Sequence, residues 1–543
     1  MLGFQLGIGD RIECDGFRAT IRFVGELQNE SSGQPISSAD KHKVTWLGVE
    51  WDDPSRGKHD GSYKGVKYFN VRHPTSGSFL RPEKCKTGIS FLEVFTERYG
   101  NSMGVDATKN LFVLGKNQMT AVEMVGAEKV FQQQSRFERL REVCLEDSLI
   151  GSAGVDNEIA PHTVSITHLD LRHTLLSLWS EIARIASQMS KLETFNVSKN
   201  RLRLPDDPFS LCSAFPRVKT IYLNSMGYEW DEVLRCTEML PVLKELHVCF
   251  NCIERLDTLT PSIENLTLLN LEGNHLSDWS SVLKLGGLAK LEMLILNDTG
   301  LVNVAFTGEV GSPTEQFASL NSLSLSRNRI ANWTSINELN RLKSLTNLTI
   351  TEIPLAETEG KAAMRHFIIA RVARLTNCNR TPVSASERRG AELDYLRLFG
   401  AEWKASGGGG CVESVATRPS EDFIRANPRY QELVDCYGAV EDSEMKVETS
   451  ALKNKLITVK IACSSIADKP VQTKKLPGTM TVQKLKNLIR RLYSAGEASV
   501  TMKLTYTSRR VKGKEIELDN DLREISYYSI EDGDTINACW WYE

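Results

Sequence analysis

One pattern recurs nine times along the middle of this chain, a line of the form L-x-x-L-x-L-x-x-N-x-L. It runs through LREVCLEDSLI, ITHLDLRHTLL, LETFNVSKNRL, VKTIYLNSMGY, LKELHVCFNCI, LTLLNLEGNHL, LEMLILNDTGL, LNSLSLSRNRI and LTNLTITEIPL. The Asn column holds Ser148, Thr174, Asn200, Met226, Asn251, Asn274, Thr299, Asn328 and Ile353. Successive spacings are 26, 26, 26, 25, 23, 25, 29 and 25 residues. Random apolar sequence does not hold such a period. A unit of this length has a Leu face that it cannot bury alone, so the units must stack.

This is the period of leucine-rich repeats, and it predicts an α/β solenoid over 135–400. The amides of Asn251, Asn274 and Asn328 recur in register and are expected to turn inward, satisfying backbone groups that no strand pairs. The 29-residue interval contains FTGEVGSPTEQF, which reads as a loop insertion on one rim. After the last repeat comes MRHFIIARVARLTNCNRTPVSASERRGAELDYLRLFG, and an array end needs closing. That stretch resembles the cap of many intracellular leucine-rich-repeat proteins: helix, hairpin, helix. His366 and its neighbouring arginines then read as solvated cap faces rather than catalytic groups.

At 543 residues the chain exceeds a single core, and the regions flanking the repeats differ from them. ASGGGG, Ala405 to Gly410, reads as part of a flexible linker over 401–454. No strand enters it and no Lys-Ser/Thr pair follows, so it is not a phosphate loop. Over 455–543, LITVKIAC alternates as a strand and TVQKLKNLIRRLYSAG has helical spacing opened by Thr481. MKLTYTSRR, KEIELD and DTINACWWY supply further strands, and the order resembles the β-grasp of ubiquitin-like domains. The chain ends WWYE rather than in a Gly-Gly tail, so docking is expected there, not conjugation.

Residues 1–100 are rich in Gly and aromatics, with short alternating runs such as KVTWLGVEW, and predict a small β-barrel. A connector over 101–134 joins it to the repeats. Between Lys41 and Lys86 there are ten Lys/Arg and five Asp/Glu, a local balance of about +5 in a chain of net charge -3. Such a face steers acidic partners, whereas the whole-chain charge gives no reason to expect nucleic acid. The focus of this region is GKHDG, Gly57 to Gly61. Glycine takes positive φ cheaply and permits close backbone approach. The expectation is therefore a loop whose N–H groups converge with Lys58 on a chain-terminal carboxylate. Trp46, Phe79 and Trp51 are candidates for an apolar wall, with Phe69 better read as core, and Arg81 and Lys84 as cations for upstream acidic residues. Lys58, His59 and Asp60 are consecutive on an extended segment and point to alternate sides, which suits no catalytic relay.

WLGVEWDDP…GKHDGSYKGVKYF…GSFLRP resembles the CAP-Gly domain family, in which the loop usually reads Gly-Lys-Asn-Asp-Gly. That resemblance implies reading of acidic tails ending Glu-Glu-Tyr or Glu-Glu-Phe, at Trp46, Gly48, Gly57, Lys58, His59, Asp60, Gly61, Phe79, Arg81 and Lys84. Two departures stand out. His59 replaces the usual Asn, and QNESSGQPISSADKHK inserts a polar loop before Trp46.

CAP-Gly, capped leucine-rich repeats and a ubiquitin-like end, in that order, resemble the tubulin-folding cofactors along nearly the whole chain. The resemblance implies a non-enzymatic chaperone without metal or cofactor. Its implied partners are α-tubulin, cofactors B, C and D, and β-tubulin within the complex. It further implies a part in assembling and dissociating the α/β-tubulin heterodimer. An alternative is a microtubule-binding cytoskeletal adaptor. A ubiquitin-pathway catalyst is disfavoured by the lack of a Cys–His context. The 12 cysteines show no metal spacing, since Cys249 and Cys252 form a lone C-x-x-C inside a repeat. With no signal-like start and no apolar run of membrane-spanning length, the expected location is cytoplasmic and cytoskeleton-associated.

Overall fold

The computed structural model describes residues 6–27, 45–100, 112–115, 118–121, 137–256, 259–359, 361–409, 411–412, 415–416, 418–440, 456–463, 470–493, 500–507, 515–521, 523–528 and 530–542. The polar insertion before Trp46 and most of the expected connector lie outside these residues. Within the connector, Phe112–Gly115 and Gln118–Ala121 form an antiparallel pair. The chain divides into two units, Met1–Ala439 and Val440–Glu543.

In the first unit each repeat supplies one three-residue strand. They run Glu142–Cys144, His168–Asp170, Thr194–Asn196, Thr220–Tyr222, Glu245–His247, Leu268–Asn270, Met293–Ile295, Ser322–Ser324 and Asn347–Thr349, paired in parallel in chain order. The central residue of each, from Val143 and Leu169 to Leu323 and Leu348, is buried. Two residues further on, Leu145, Leu171, Val197, Leu223, Val248, Leu271, Leu296, Leu325 and Ile350 are wholly buried. That is why the Leu columns hold register: each fills the space between its neighbours' columns.

The Asn column does what its recurrence predicts. Asn251 Oδ1 accepts from the N–H groups of Met226, Gly227 and Tyr228, and its Nδ2 donates to the carbonyls of Leu223 and Val248. Asn200, Asn274 and Asn328 bridge adjacent units in the same way, and all four are buried. The residue before the column has positive φ in every unit: Asp147, His173, Lys199, Ser225, Phe250, Gly273, Asp298, Arg327 and Glu352. Only one of these is glycine. A left-handed residue with a Cβ costs about 1–2 kcal/mol, so the turn is held by its surroundings, the amide ladder among them.

The rim insertion is pinned from within. Arg341, only 4% exposed, donates to the carbonyls of Phe306, Thr307 and Ser312 and pairs with Glu338. The cap is helix Lys361–Arg371, a hairpin of Asn377–Cys378 with Thr381–Pro382, and helix Ala385–Ala405. His366 meets Asp394 on the outside of that pair of helices.

The expected linker over 401–454 needs correction. The long helix continues to Ala405, and Glu421–Ala426 and Tyr430–Tyr437 are two further helices packed on the cap. Trp403, Phe423, Tyr430 and Leu433 are buried, and Arg429 forms a buried pair with Glu392. Gly408 and Gly409 are packing devices: side chains there would begin 2.3 and 2.8 Å from the Trp403 ring. Among the described cysteines none is disulfide-bonded, with Cys249 buried and Cys252 exposed.

The barrel sheet has strands Arg11–Cys14, Phe17–Gly25, Trp46–Trp51, Gly77–Leu80 and Lys86–Thr87. It is joined to the array by backbone pairing, since Ile89–Ser90 runs parallel to Ile150–Ser152. Gly88 and Gly151 meet with no room for a side chain on either. Helix Phe91–Gly100 buries Phe91 and Phe95, and Tyr99 Oη accepts from the Cys144 N–H.

The second unit is a β-grasp. Strands Leu456–Cys463, Gln472–Pro477, Val500–Thr507, Glu515–Glu517 and Thr535–Tyr542 lie in the order second, first, fifth, third, fourth, with the first and fifth parallel. Helix Val482–Tyr493 covers one face through Val482, Leu485, Ile489 and Tyr493.

Candidate peptide-end groove

Strand Trp46–Trp51 lies between Phe17–Gly25 and Gly77–Leu80, which sets Gly48 opposite Phe79. A side chain on Gly48 would begin 2.5 Å from the Phe69 ring, so the glycine makes room for that buried aromatic. Phe79 is the hub of a ring cluster. Phe23, Tyr63, Tyr68 and Phe69 meet it edge-on with centroids 5.4–6.3 Å away, and His59 stacks on it at 5.0 Å. Phe23, Tyr63 and Tyr68 were not anticipated. The signal of the two tyrosines was present in the aromatic spacing of YKGVKYF, but it does not say which ring the others surround.

The loop forms differently from the expectation of converging N–H groups. The N–H groups of Lys58 and His59 both donate to the Gly77 carbonyl, at 2.8 and 3.2 Å, and the Gly77 N–H returns to the His59 carbonyl. The Gly61 N–H donates to His59 Nδ1 at 3.0 Å, and the Ser62 N–H to Asp60 Oδ1 at 3.1 Å. These four donors are used internally. Gly57 has extended backbone and serves close approach, since a side chain there would begin 2.0 Å from the Thr75 carbonyl oxygen. Gly61 does have positive φ, +96°.

Asp60 is also a loop-building group. Lys67 Nζ lies 2.7 Å from its carboxylate and 2.7 Å from its carbonyl. Lys67 and then Ser62 hold its pKa down to about 2. Burial pushes the His59 pKa down, against a smaller upward pull from Asp60. With Nδ1 accepting from Gly61, the ring is neutral with its proton on Nε2.

What remains to face a partner is cationic and aromatic. Lys58 and Lys84 are exposed, and neither meets a carboxylate among the described residues. The Arg81 guanidinium lies 4.2 Å from the centre of the Trp46 ring. Phe79 and Arg81, two apart on extended backbone, share a face. Trp51 is not part of the wall, for it is 3% exposed and its Nε1 donates to Ser78 Oγ at 3.0 Å. Phe69 is core, as its reading had it.

Residues 8–85 match the CAP-Gly domain family. The barrel, the capped leucine-rich repeats and the ubiquitin-like β-grasp thus define a multidomain CAP-Gly protein. The chain is 40% identical over 538 residues to a Bos taurus protein named tubulin-specific chaperone E, covering 98% of each. It is 32% identical over 503 residues to tubulin-folding cofactor E of Arabidopsis thaliana, covering 89% of this chain and 88% of that one. Among solved structures, the C-terminal ubiquitin-like domain of mouse tubulin-specific chaperone E is 38% identical, over 18% of this chain and 96% of that one, with a TM-score of 0.16. The chain belongs to the tubulin-specific chaperone E family.

Proposed function

We propose that this chain is a non-enzymatic tubulin-folding chaperone that holds α-tubulin at two places. The barrel groove takes the acidic C-terminal tail, and the concave strands of the repeats take the body. The observation that carries this reading is exposed Lys58, next in chain to the His59 ring stacked on Phe79, together with the Arg81–Trp46 stack, with Lys84 exposed three residues after Arg81. Aromatic surface suits a terminal Tyr or Phe, and the cations suit the acidic residues before it. Trp46, Phe79, Lys58, Arg81 and Lys84 make the contact; Gly48, Gly57, Gly61, His59 and Asp60 shape it.

A single tail in a groove binds at about micromolar strength, roughly -8 kcal/mol. Linking tail capture to body contact raises the effective concentration of the second contact without new chemistry. Opening a heterodimer needs contacts made only with the separated subunit, a difference in affinity that the array supplies. Cofactors B, C and D and β-tubulin join in that assembly and dissociation, at the cytoskeleton in the cytoplasm.

The test is size-exclusion of the full chain with tubulin heterodimer, with and without cofactor B. A complex holding α-tubulin but no β-tubulin supports the chaperone. Co-sedimentation with microtubules and no such complex supports a cytoskeletal adaptor instead.

A further inference from the structure

A second basic feature lies away from the groove, where the barrel meets the repeats. A cavity of about 260 Å³ is lined by Arg22 and Arg72 of the barrel and by Arg201, Arg203 and Arg235 of the array, with Glu232 the only carboxylate in its wall. A smaller cavity of about 90 Å³, whose wall adds Glu50 and Asp52, shares Thr20, Arg22, Arg72 and Arg201 with it, so the two make one cleft. Some of this charge is answered: Arg22 pairs with Glu50, and Arg201 Nε lies 3.8 Å from Asp52. Arg235 donates to the carbonyls of Pro205 and Asp206. The Arg72 N–H donates to Glu50 Oε1 at 2.6 Å, but among the described residues the guanidinium groups of Arg72, Arg203 and Arg235 form no ion pair with a carboxylate.

Glycines from both sides make room for these groups. A side chain on Gly227 would begin 2.3 Å from Arg201 Nη1 and 3.4 Å from Arg72 Nη1, so two guanidinium groups share that spot. One on Gly9 would begin 2.5 Å from Arg203 Cζ. Burial lowers the Arg201 pKa, Asp52 opposes this, and Arg72 and Arg11 push it down further. Crowded like charges in excess of their neighbouring carboxylates are stabilised by an anion that brings several oxygens at once.

We propose that this cleft binds the carboxylates of an acidic polypeptide segment, at a site separate from the groove and independent of whether the groove takes a chain end. The guanidinium groups come from both domains, Arg72 and Arg201 at Gly227 and Arg203 at Gly9, so that several separate positions are offered to an anion. That suits a row of side-chain carboxylates on an extended chain better than one compact anion.

The probe is a fluorescent deca-glutamate peptide amidated at its C-terminus, titrated into the full chain by anisotropy. Binding is expected, and to weaken steeply between 50 and 200 mM salt, probe conditions chosen to span the screening range. The double variant R72S/R203S, both exposed positions, is expected to weaken it at least tenfold with an unchanged melting temperature. The same variant should bind a short peptide ending Glu-Glu-Tyr as the parent does, which separates this site from the groove. Undiminished deca-glutamate binding in R72S/R203S overturns the proposal. So does loss of that binding in Lys58→Glu alone, which would place the peptide in the groove. Tighter binding by tripolyphosphate than by the peptide also overturns it, assigning the cleft to phosphate.

Discussion

The imidazole of His59 lies on the ring of Phe79, centroids 5.0 Å apart and planes inclined by 28°, while its Nδ1 accepts the Gly61 N–H. CAP-Gly loops resembling this one carry Asn here, and an amide oxygen two residues before an N–H makes the same kind of turn. The imidazole therefore replaces the amide as acceptor and adds a stacking surface. It can accept only while Nδ1 is unprotonated.

A pH dependence follows. The folded pKa of His59 lies below its ordinary value of 6.5. The unfolded chain then takes up the proton first, so this contribution to stability is fully present above about pH 6.5 and is lost as pH falls through the lower, folded value. Asp60 stays charged throughout that window, with its pKa at about 2. Acidification from pH 7.5 to 5.5 should loosen the loop, and His59→Asn should remove this dependence while keeping peptide affinity at pH 7.5 within about threefold. Melting curves and peptide titrations across that range check it. Parallel pH profiles in the two proteins would contradict the assignment.

Lys58 is exposed and its side chain has no acidic partner among the described residues, so its reversal has little to disrupt. Lys58→Glu should weaken binding of a Glu-Glu-Tyr peptide by about tenfold, ~1.4 kcal/mol, and change stability by no more than about 0.5 kcal/mol. Calorimetric titration and a melting curve report the two quantities separately. A large drop in melting temperature would make Lys58 a structural residue.

Asn251 is the opposite case. Asn251→Ala strands the N–H groups of Met226, Gly227 and Tyr228 and the carbonyl of Leu223 inside the array, while the Val248 carbonyl keeps the Asn274 amide. Each orphaned buried group costs about 1–3 kcal/mol, and water entry offsets only part of it. A loss of about 3 kcal/mol or more in urea unfolding of the first unit is expected. A change below about 1 kcal/mol would mean that neighbouring Asn residues hold the turn without it.

The folded segment after Ala405 also makes a prediction. Limited proteolysis should spare 418–437, because Trp403, Phe423 and Tyr430 bury one another. Trp403→Ala should cost about 3–5 kcal/mol and expose the glycine run to cleavage. Early cleavage between 418 and 437 in the parent protein would restore the linker reading.

Sequence reasoning was strongest where a feature repeats at fixed spacing. Leu and Asn columns report the array because each residue packs against its counterpart one turn away. It failed where meaning depends on a distant partner. The carbonyl that occupies the Lys58 and His59 N–H groups belongs to Gly77, and nothing local to GKHDG reveals it. Glycine composition could not distinguish a slack tether from a bed for the Trp403 ring. The arginine cleft was invisible for the same reason, since Arg22, Arg72 and Arg201 come together only after folding.

The parallel pairing of Ile89–Ser90 with Ile150–Ser152 splices barrel to array through main-chain bonds, locked by two abutting glycines. Such a splice works as a fixed jig rather than a tether: the distance and angle between groove and concave wall are set before any client arrives. On the two-point reading proposed above, a client whose own end and body do not match that spacing would occupy one station only.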